Sequence, residues 1–239
     1  MTLPLLILRP EPGNTTTVEG ARALGIETIR APLFAIGPVD WHAPDPAAID
    51  ALLIGSANAI RHAGPALAAY AGKPVHAVGE TTAQVARDAG LTVVSVGSGG
   101  LQGVLDGLSH IRLLRLAGQE RLILTPPPHV AMIERVVYAA TPLPLPLGSA
   151  RLMLAHALPG LAVALHSAAA AAHLAGEMER LALPRHRLHL VTLGPRISAA
   201  AGHGWAAIHT AAAPDERSLL ALAAQVCHTP APLAGDLSV

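Results

Sequence analysis

Short apolar runs recur along the chain, and each ends at a small or polar residue that opens an alanine-rich stretch. Leu52-Leu53-Ile54-Gly55 leads into Ser56-Ala57-Asn58-Ala59, and Val75-His76-Ala77-Val78-Gly79 leads into Glu80-Thr81-Thr82-Ala83, with Leu91-Thr92-Val93-Val94 beyond. The same grammar returns downstream. There Val163-Ala164-Leu165-His166 leads into Ser167-Ala168-Ala169-Ala170, Leu190-Val191-Thr192-Leu193-Gly194 runs on to Ser198-Ala199, and Trp205-Ala206-Ala207-Ile208 follows. This pattern predicts strand, turn, helix, strand, turn, helix on a parallel sheet. A period of about half the chain predicts duplicated domains rather than a solenoid of short repeats.

The remaining segments complete the two copies unevenly. Leu5-Leu6-Ile7-Leu8 predicts a strand ending at Arg9-Pro10-Glu11-Pro12-Gly13; a helix to about Leu24 follows, Gly25 stops it, and Glu27 to Phe34 is extended. The counterpart is Ile111 to Leu116, ending at Gly118-Gln119-Glu120-Arg121, then an extended Met132 to Leu143, with Pro126-Pro127-Pro128 in place of most of a helix. The expected domains are a continuous one over 38–143 and a discontinuous one joining 1–34 to 146–228. Segments 31–38 and 139–146, extended and proline-spaced, are expected to pair as linker strands, and 229–239 to be a disordered tail.

Composition narrows the class. The 239 residues are 51% hydrophobic and 2% aromatic, enough for two small cores of Ala, Leu and Val. A formal net charge of zero with no Lys/Arg run removes the electrostatic footprint of a nucleic-acid binder. The lone Cys227 excludes an internal disulfide and fits a reducing compartment, so the cytoplasm is expected. Met1 to Leu8 lacks a basic leader and reads as a strand, not a signal peptide. Leu152 to Gly176 carries no formal charge, but Pro159-Gly160 and the polar His156, His166, Ser167 and His173 argue for helix, loop, strand and helix rather than a membrane span.

Candidate chemistry concentrates at the turns. Ser56-Ala57-Asn58, Gly79-Glu80-Thr81-Thr82, Ser167-Ala168 and Gly194-Pro195-Arg196 fall at predicted carboxyl ends of parallel strands, where open α/β sheets bind ligands. Free N–H groups and the helix dipole favour anions there. The competing reading makes them ordinary N-caps; four such turns in matching positions favour the anion reading. Thirteen histidines include His186-x-x-His189 and the pair His166 and His173, but no Cys cluster or HExxH accompanies them, and no metal is expected. Gly97-x-Gly99-Gly100 does not complete a dinucleotide fingerprint, and Ser56 and Ser167 lack a nucleophile elbow.

Taken in order, Arg9-Pro10, Ser56-Ala57-Asn58-Ala59, Ala77-Val78-Gly79-Glu80-Thr81-Thr82-Ala83, Val137-Tyr138, His166-Ser167 and Gly194-Pro195 make the chain resemble the uroporphyrinogen-III synthase family along nearly its whole length. The resemblance implies an α/β fold of two flavodoxin-like parallel-sheet domains, an internal duplication, joined by a two-stranded β linker with a broad cleft between them. It implies a cyclising hydro-lyase of tetrapyrrole and haem biosynthesis that needs no cofactor. Such an enzyme closes hydroxymethylbilane to uroporphyrinogen III, inverting the terminal (D) pyrrole ring through a spirocyclic intermediate with loss of water.

That substrate bears an acetate and a propionate on every pyrrole, so many carboxylate donors are required. The expected substrate-binding residues are Arg9, Ser56, Ala57, Asn58, Gly79, Thr81, Thr82, Ser167, Ala168, Gly194 and Arg196. Tyr138 is the expected catalytic residue, its hydroxyl assisting departure of the substrate hydroxyl as water; alternatively it packs an edge strand. Leu8 stands where the family pattern has Thr, Ser198 stands one place later than Thr82 in the other copy, and Glu80 is expected to point outward. The expected partner is the small-molecule substrate, with no nucleic acid or membrane, and the chain is expected to be a monomer. Two other classes remain open: a non-catalytic two-lobed tetrapyrrole or small-anion binder, and a degenerate family member serving as partner to another pathway enzyme.

Overall fold

The computed structural model describes residues 2–154 and 160–228. The tail expected over 229–239 and the interruption expected at Pro159 lie outside the described residues. In chain order the elements are β1 (Leu5–Ile7), α1 (Gly13–Ala23), β2 (Thr28–Arg30), β3 (Phe34–Pro38), β4 (Ala51–Ile54), α2 (Ala57–His62), β5 (Pro74–Val78), α3 (Glu80–Asp88), β6 (Thr92–Gly97) and α4 (Gly100–Asp106). There follow β7 (Ile111–Gly118), β8 (Val130–Pro142), α5 (Leu147–Leu154), β9 (Leu161–Leu165), α6 (Ala168–Arg180), β10 (Leu188–Thr192), α7 (Pro195–Ala201), β11 (Ala207–Thr210) and α8 (Glu216–His228). The chain divides into two compact units, Met1–Ala35 with Pro142–Val239, and Ile36–Thr141.

The first unit is built on a five-stranded sheet ordered β2-β1-β9-β10-β11, every neighbouring pair parallel. Successive side chains of a strand point to opposite faces. Leu6 and Leu8 therefore join Val163, Leu165, Leu174 and Met178 in one core layer, while Leu5 and Ile7 join Val18, Ala162, Ala164 and Leu219 in the other. A strand covered by helices on both faces reads as an unbroken apolar run, which is how β1 and β9 appear in the sequence.

The second unit holds a six-stranded sheet ordered β3-β8-β7-β4-β5-β6. The pairs β8–β7, β7–β4, β4–β5 and β5–β6 are parallel. Leu52, Ile54, Leu114 and Leu116 pack with Ile60 and Tyr70 on one face, and Ala51, Leu53, Leu105 and Leu113 pack on the other. No helix lies between β7 and β8, where the chain runs through Pro126-Pro127-Pro128. Taking β7 and β8 as first and second and β4, β5 and β6 as third to fifth gives the order 2-1-3-4-5, and β1, β2, β9, β10 and β11 give the same order in the first unit.

Among the described residues no helix is long and apolar enough to cross a membrane. The uncharged stretch is divided among α5, β9 and α6. The chain returning from β8 is fastened to α6 by a buried acid. Glu177 accepts a hydrogen bond from the Leu145 backbone N–H at 2.7 Å and takes both Nε and a terminal nitrogen of Arg180 at 2.7 Å. The Arg180 hydrogen bonds are the largest influence on this carboxyl; burial opposes them, the Leu145 N–H adds to them, and the group is held at about 2.

Because the folded-state pKa is depressed, Glu177 stabilises fully above the ordinary carboxylate range and loses its contribution as pH falls from about 4.5 toward about 2. Glu177→Ala is expected to cost about 1–3 kcal/mol near neutrality, chiefly because it strands the buried Leu145 N–H, the half-exposed Arg180 being rehydrated. Urea unfolding should show the gap between wild type and Glu177→Gln shrinking across that window; a gap independent of pH would refute the assignment.

Candidate functional site

In the second unit the connection after β4 leaves toward β5, while the connection after β7 leaves toward β8. Between two parallel strands whose crossovers diverge, the carboxyl ends leave a crevice, the usual ligand position of an open α/β sheet. A cavity of ≈ 220 Å³ occupies this position, its wall including Gly55, Ser56, Arg115, Gly118, Arg121 and Tyr138. Two of the sequence-predicted residues, Ser56 and Tyr138, are thus brought to one cavity.

Ser56 sits in extended conformation, and its hydroxyl accepts from the Asn58 N–H at 3.2 Å, capping α2. Ala57 is buried, and Asn58 accepts from Arg61 at 3.3 Å. With only six residues, α2 has little dipole to offer an anion. The placement of Tyr138 depends on a bulge. The β7–β8 register shifts between Ala117 and Gly118, so that Gly118 rather than a side-chain-bearing residue lies opposite Tyr138. A Cβ on Gly118 would lie 2.6 Å from Tyr138 Cζ and 2.8 Å from its Oη, so the ring rests where only glycine leaves room. The His62 ring stands 6.3 Å away, centroid to centroid.

The cavity also contains chemistry that the sequence reading missed. Arg115, in the middle of β7, has a side chain only 2% exposed and donates to Glu134 Oε2 at 2.6 Å. Register pairs the two residues across β7 and β8. The other oxygen of Glu134 accepts from Arg121 Nε at 2.5 Å, and Arg121 also donates to the Gln119 carbonyl at 2.8 Å. Burial pulls the Arg115 pKa down while the Glu134 charge and hydrogen bond pull it back, and a guanidinium keeps its proton in either case. Its Nε has no hydrogen-bond partner among the described residues. The available signal was weak: the run Ile111 to Leu116 carries two arginines, of which Arg112 is exposed and only Arg115 is buried.

The corresponding crevice of the first unit, between the ends of β1 and β9, is filled by an internal network. Arg9 donates to Glu216 Oε2 at 2.8 Å and to the Thr17 hydroxyl at 3.3 Å. Thr17 in turn donates to Glu216 Oε1 at 2.5 Å, and His166 Nε2 lies 3.1 Å from Oε2. Burial works to raise the Glu216 pKa, but the His166 and Thr17 hydrogen bonds and the charges of His166 and Arg9 outweigh it and hold the group at about 2. Arg9, an expected substrate residue, is engaged within the protein.

The other expected residues occupy helix starts. Ser167 accepts from the Ala170 N–H at 3.1 Å and caps the thirteen-residue α6, with Ala168 in its first turn. Gly79, at φ 79°, precedes α3; Thr81 is exposed and Thr82 buried, while Glu80 is exposed and pairs with Arg87 at 2.6 Å. Gly194 precedes α7, Arg196 is exposed there, and the Ser198 hydroxyl is taken up by Thr192 at 2.6 Å and Thr210 at 2.8 Å. Among the described residues no three His, Cys, Asp or Glu side chains group as a metal ion would require.

A family model described as uroporphyrinogen-III synthase HemD matches residues 15–221. No match was found among curated proteins. The crystal structure of uroporphyrinogen-III synthetase from Helicobacter pylori 26695 is 16% identical, covers 93% of this chain and 99% of its own, and superposes with a TM-score of 0.63. A mutant uroporphyrinogen III synthase from the extremely thermophilic bacterium Thermus thermophilus is 18% identical over 93% of this chain and 99% of its own, with a TM-score of 0.49. The wild-type protein of that organism is 19% identical over 94% and 97%, with a TM-score of 0.41. The first of these likenesses shows the mixed α/β fold, and the family match extends from α1 into α8. This chain belongs to the uroporphyrinogen-III synthase family.

Proposed function

We propose that this chain carries out the reaction of its family, closing hydroxymethylbilane to uroporphyrinogen III with inversion of the terminal pyrrole ring and loss of water. The observation that carries the reading is the meeting of Tyr138 with Ser56 and two arginines in a cavity where the strand order reverses. The C–O bond of the terminal hydroxymethyl group breaks as its oxygen takes a proton, and Tyr138 is the group proposed to donate it. The carbocation attacks the terminal pyrrole at the α carbon that already bears its bridge, forming a spirocycle. The old bridge bond then breaks and re-forms at the ring's free α carbon, which returns a proton on regaining aromaticity, so the ring is inverted and the balance is one water lost. A cation of this kind needs shielding from water more than a strong base, so a sparse set of proton-transfer groups suffices.

Carboxylates are proposed to bind at the turns of each unit. The strongest helix start is that of α6, where Ser167 and Ala168 open thirteen residues; Thr81, Thr82 and Gly79 at α3 and Gly194 and Arg196 at α7 offer further donors. Ala57 and Asn58 contribute by shaping the Ser56 turn. Arg9 is proposed to act through the Glu216 network that holds the end of β1 rather than as a free clamp. The shared 2-1-3-4-5 strand order supports a flavodoxin-like internal duplication. The adjacency of β3 and β8, with Val39 N–H on the Val137 carbonyl at 3.0 Å and Leu143 N–H on the Leu33 carbonyl at 2.8 Å, supports a paired linker. The buried free thiol of Cys227 suits a reducing cytoplasm.

Incubation with freshly prepared hydroxymethylbilane tests the reading. The type III isomer is expected; the non-enzymatic type I isomer alone would leave a binder or a degenerate partner. Tyr138→Phe should lower turnover by about ten- to a thousandfold at unchanged stability, the range for losing one proton-transfer group. Gly118→Ala keeps the hydroxyl but displaces the ring, and because the clash is with a side-chain end it should cost less than about 1 kcal/mol of stability while reducing turnover comparably. Full turnover in both variants would return Tyr138 to packing. Ala168→Pro removes one N–H at the first helical position, where proline is tolerated. It should weaken bilane binding by about 1–3 kcal/mol with near-native thermal unfolding, and undiminished affinity would make Ser167 and Ala168 an ordinary cap.

A further inference from the structure

We infer that the cavity between the ends of β4 and β7 is a carboxylate subsite in which Arg115 and Arg121, sharing the single carboxylate of Glu134, hold one acid arm of the ligand. The owner of that arm rests on the proposed function; the carboxylate chemistry does not.

Charge is the first argument. Two guanidiniums converge on one carboxylate, one on each oxygen, so the cluster keeps one positive charge. Glu134 can satisfy only part of it: Arg115 has five N–H donors, and its Nε is buried without a partner among the described residues. A second carboxylate would complete the set with charge-assisted hydrogen bonds, for which the guanidinium fork is well shaped. Glu120, exposed on the cavity wall, offsets that charge in sum, so the attraction for an anion is local to the guanidinium donors.

Size is the second. At ≈ 220 Å³ the cavity falls below the roughly 300–1,000 Å³ of sites that enclose a whole ligand, so it takes a side arm, not a ring system. Tyr138 and Ser56 share the wall. An acid arm seated on the arginines is therefore held beside the Tyr138 hydroxyl, giving the arginines a positioning role as well as a binding one. Were Arg115 only a brace between β7 and β8, the brace would be complete with Glu134, and neither Arg121 nor the unpartnered Nε would matter to any ligand.

The test uses the full chain with nitrogen-15 arginine and titrates it with tricarballylate, with glycerol as the uncharged control. The Arg115 Nε–H resonance, assigned from its loss in Arg115→Lys, should shift saturably with tricarballylate and not with glycerol. In the isomer assay Arg121→Gln, a partly exposed substitution that leaves the Arg115–Glu134 pair in place, should raise KM about 10- to 100-fold with a much smaller change in kcat. Glu120→Gln should lower KM. A wild type that yields type III isomer but shows no Arg115 shift, with KM unmoved in Arg121→Gln, overturns the subsite. A wild type that yields no type III isomer yet shows the saturable shift supports the subsite and sinks the enzymatic reading.

Discussion

Parallel strands cannot be joined by a tight turn. Each needs a crossover that carries the chain back along the sheet, so every strand of a parallel sheet delivers its carboxyl end to the same edge. In this protein that constraint does the positioning. It brings the turns after β4, β5, β9 and β10 to the edges of their sheets, and wherever successive crossovers leave in opposite directions it opens a crevice. The helices that cover the sheets, rich in alanine, follow from the same requirement, because strands buried on both faces leave room for close helix packing and no exposed face to solvate.

The two crevices carry different side chains. Between β1 and β9 a guanidinium and a hydroxyl donate to one carboxylate and His166 Nε2 lies against it, while His166 Nδ1 is buried without a partner among the described residues; the Glu216 charge is held over the whole physiological range. Between β7 and β4 two guanidiniums share one carboxylate, and a cavity stands beside them. A buried polar network fixes structure, and one beside a cavity can also meet a ligand.

Much of the framework was legible in the sequence because it rests on periodicity and caps. Ser56 and Ser167 open helices as their positions after apolar runs suggested, and Glu80 faces outward in a pair with Arg87. The chemistry of the cavity was less legible. Arg115 shares its strand with an exposed Arg112 from which the sequence does not distinguish it, and its partner Glu134 lies nineteen residues on, on a strand whose register the sequence does not announce. The bulge that sets Tyr138 over Gly118 is a one-residue slip with no compositional mark beyond a glycine. Glu216, distant in sequence from both Arg9 and His166, meets them only because β1 and β9 are neighbours. Pairings of long sequence separation are what periodicity cannot convey.

The position of the second unit inside the first has a temporal consequence. β1 needs β9 as its neighbour, and Leu5 and Ala162, partners in that pair, are separated by 162 − 5 = 157 residues. At a synthesis rate of about 5–20 residues per second, the first strand waits roughly 8–30 s after emerging from the ribosome before its partner exists. The whole of the interior unit, Ile36–Thr141, is made during that wait. The inserted half is thus the first with all its strands in hand, and the half built on β1 and β9 closes after it.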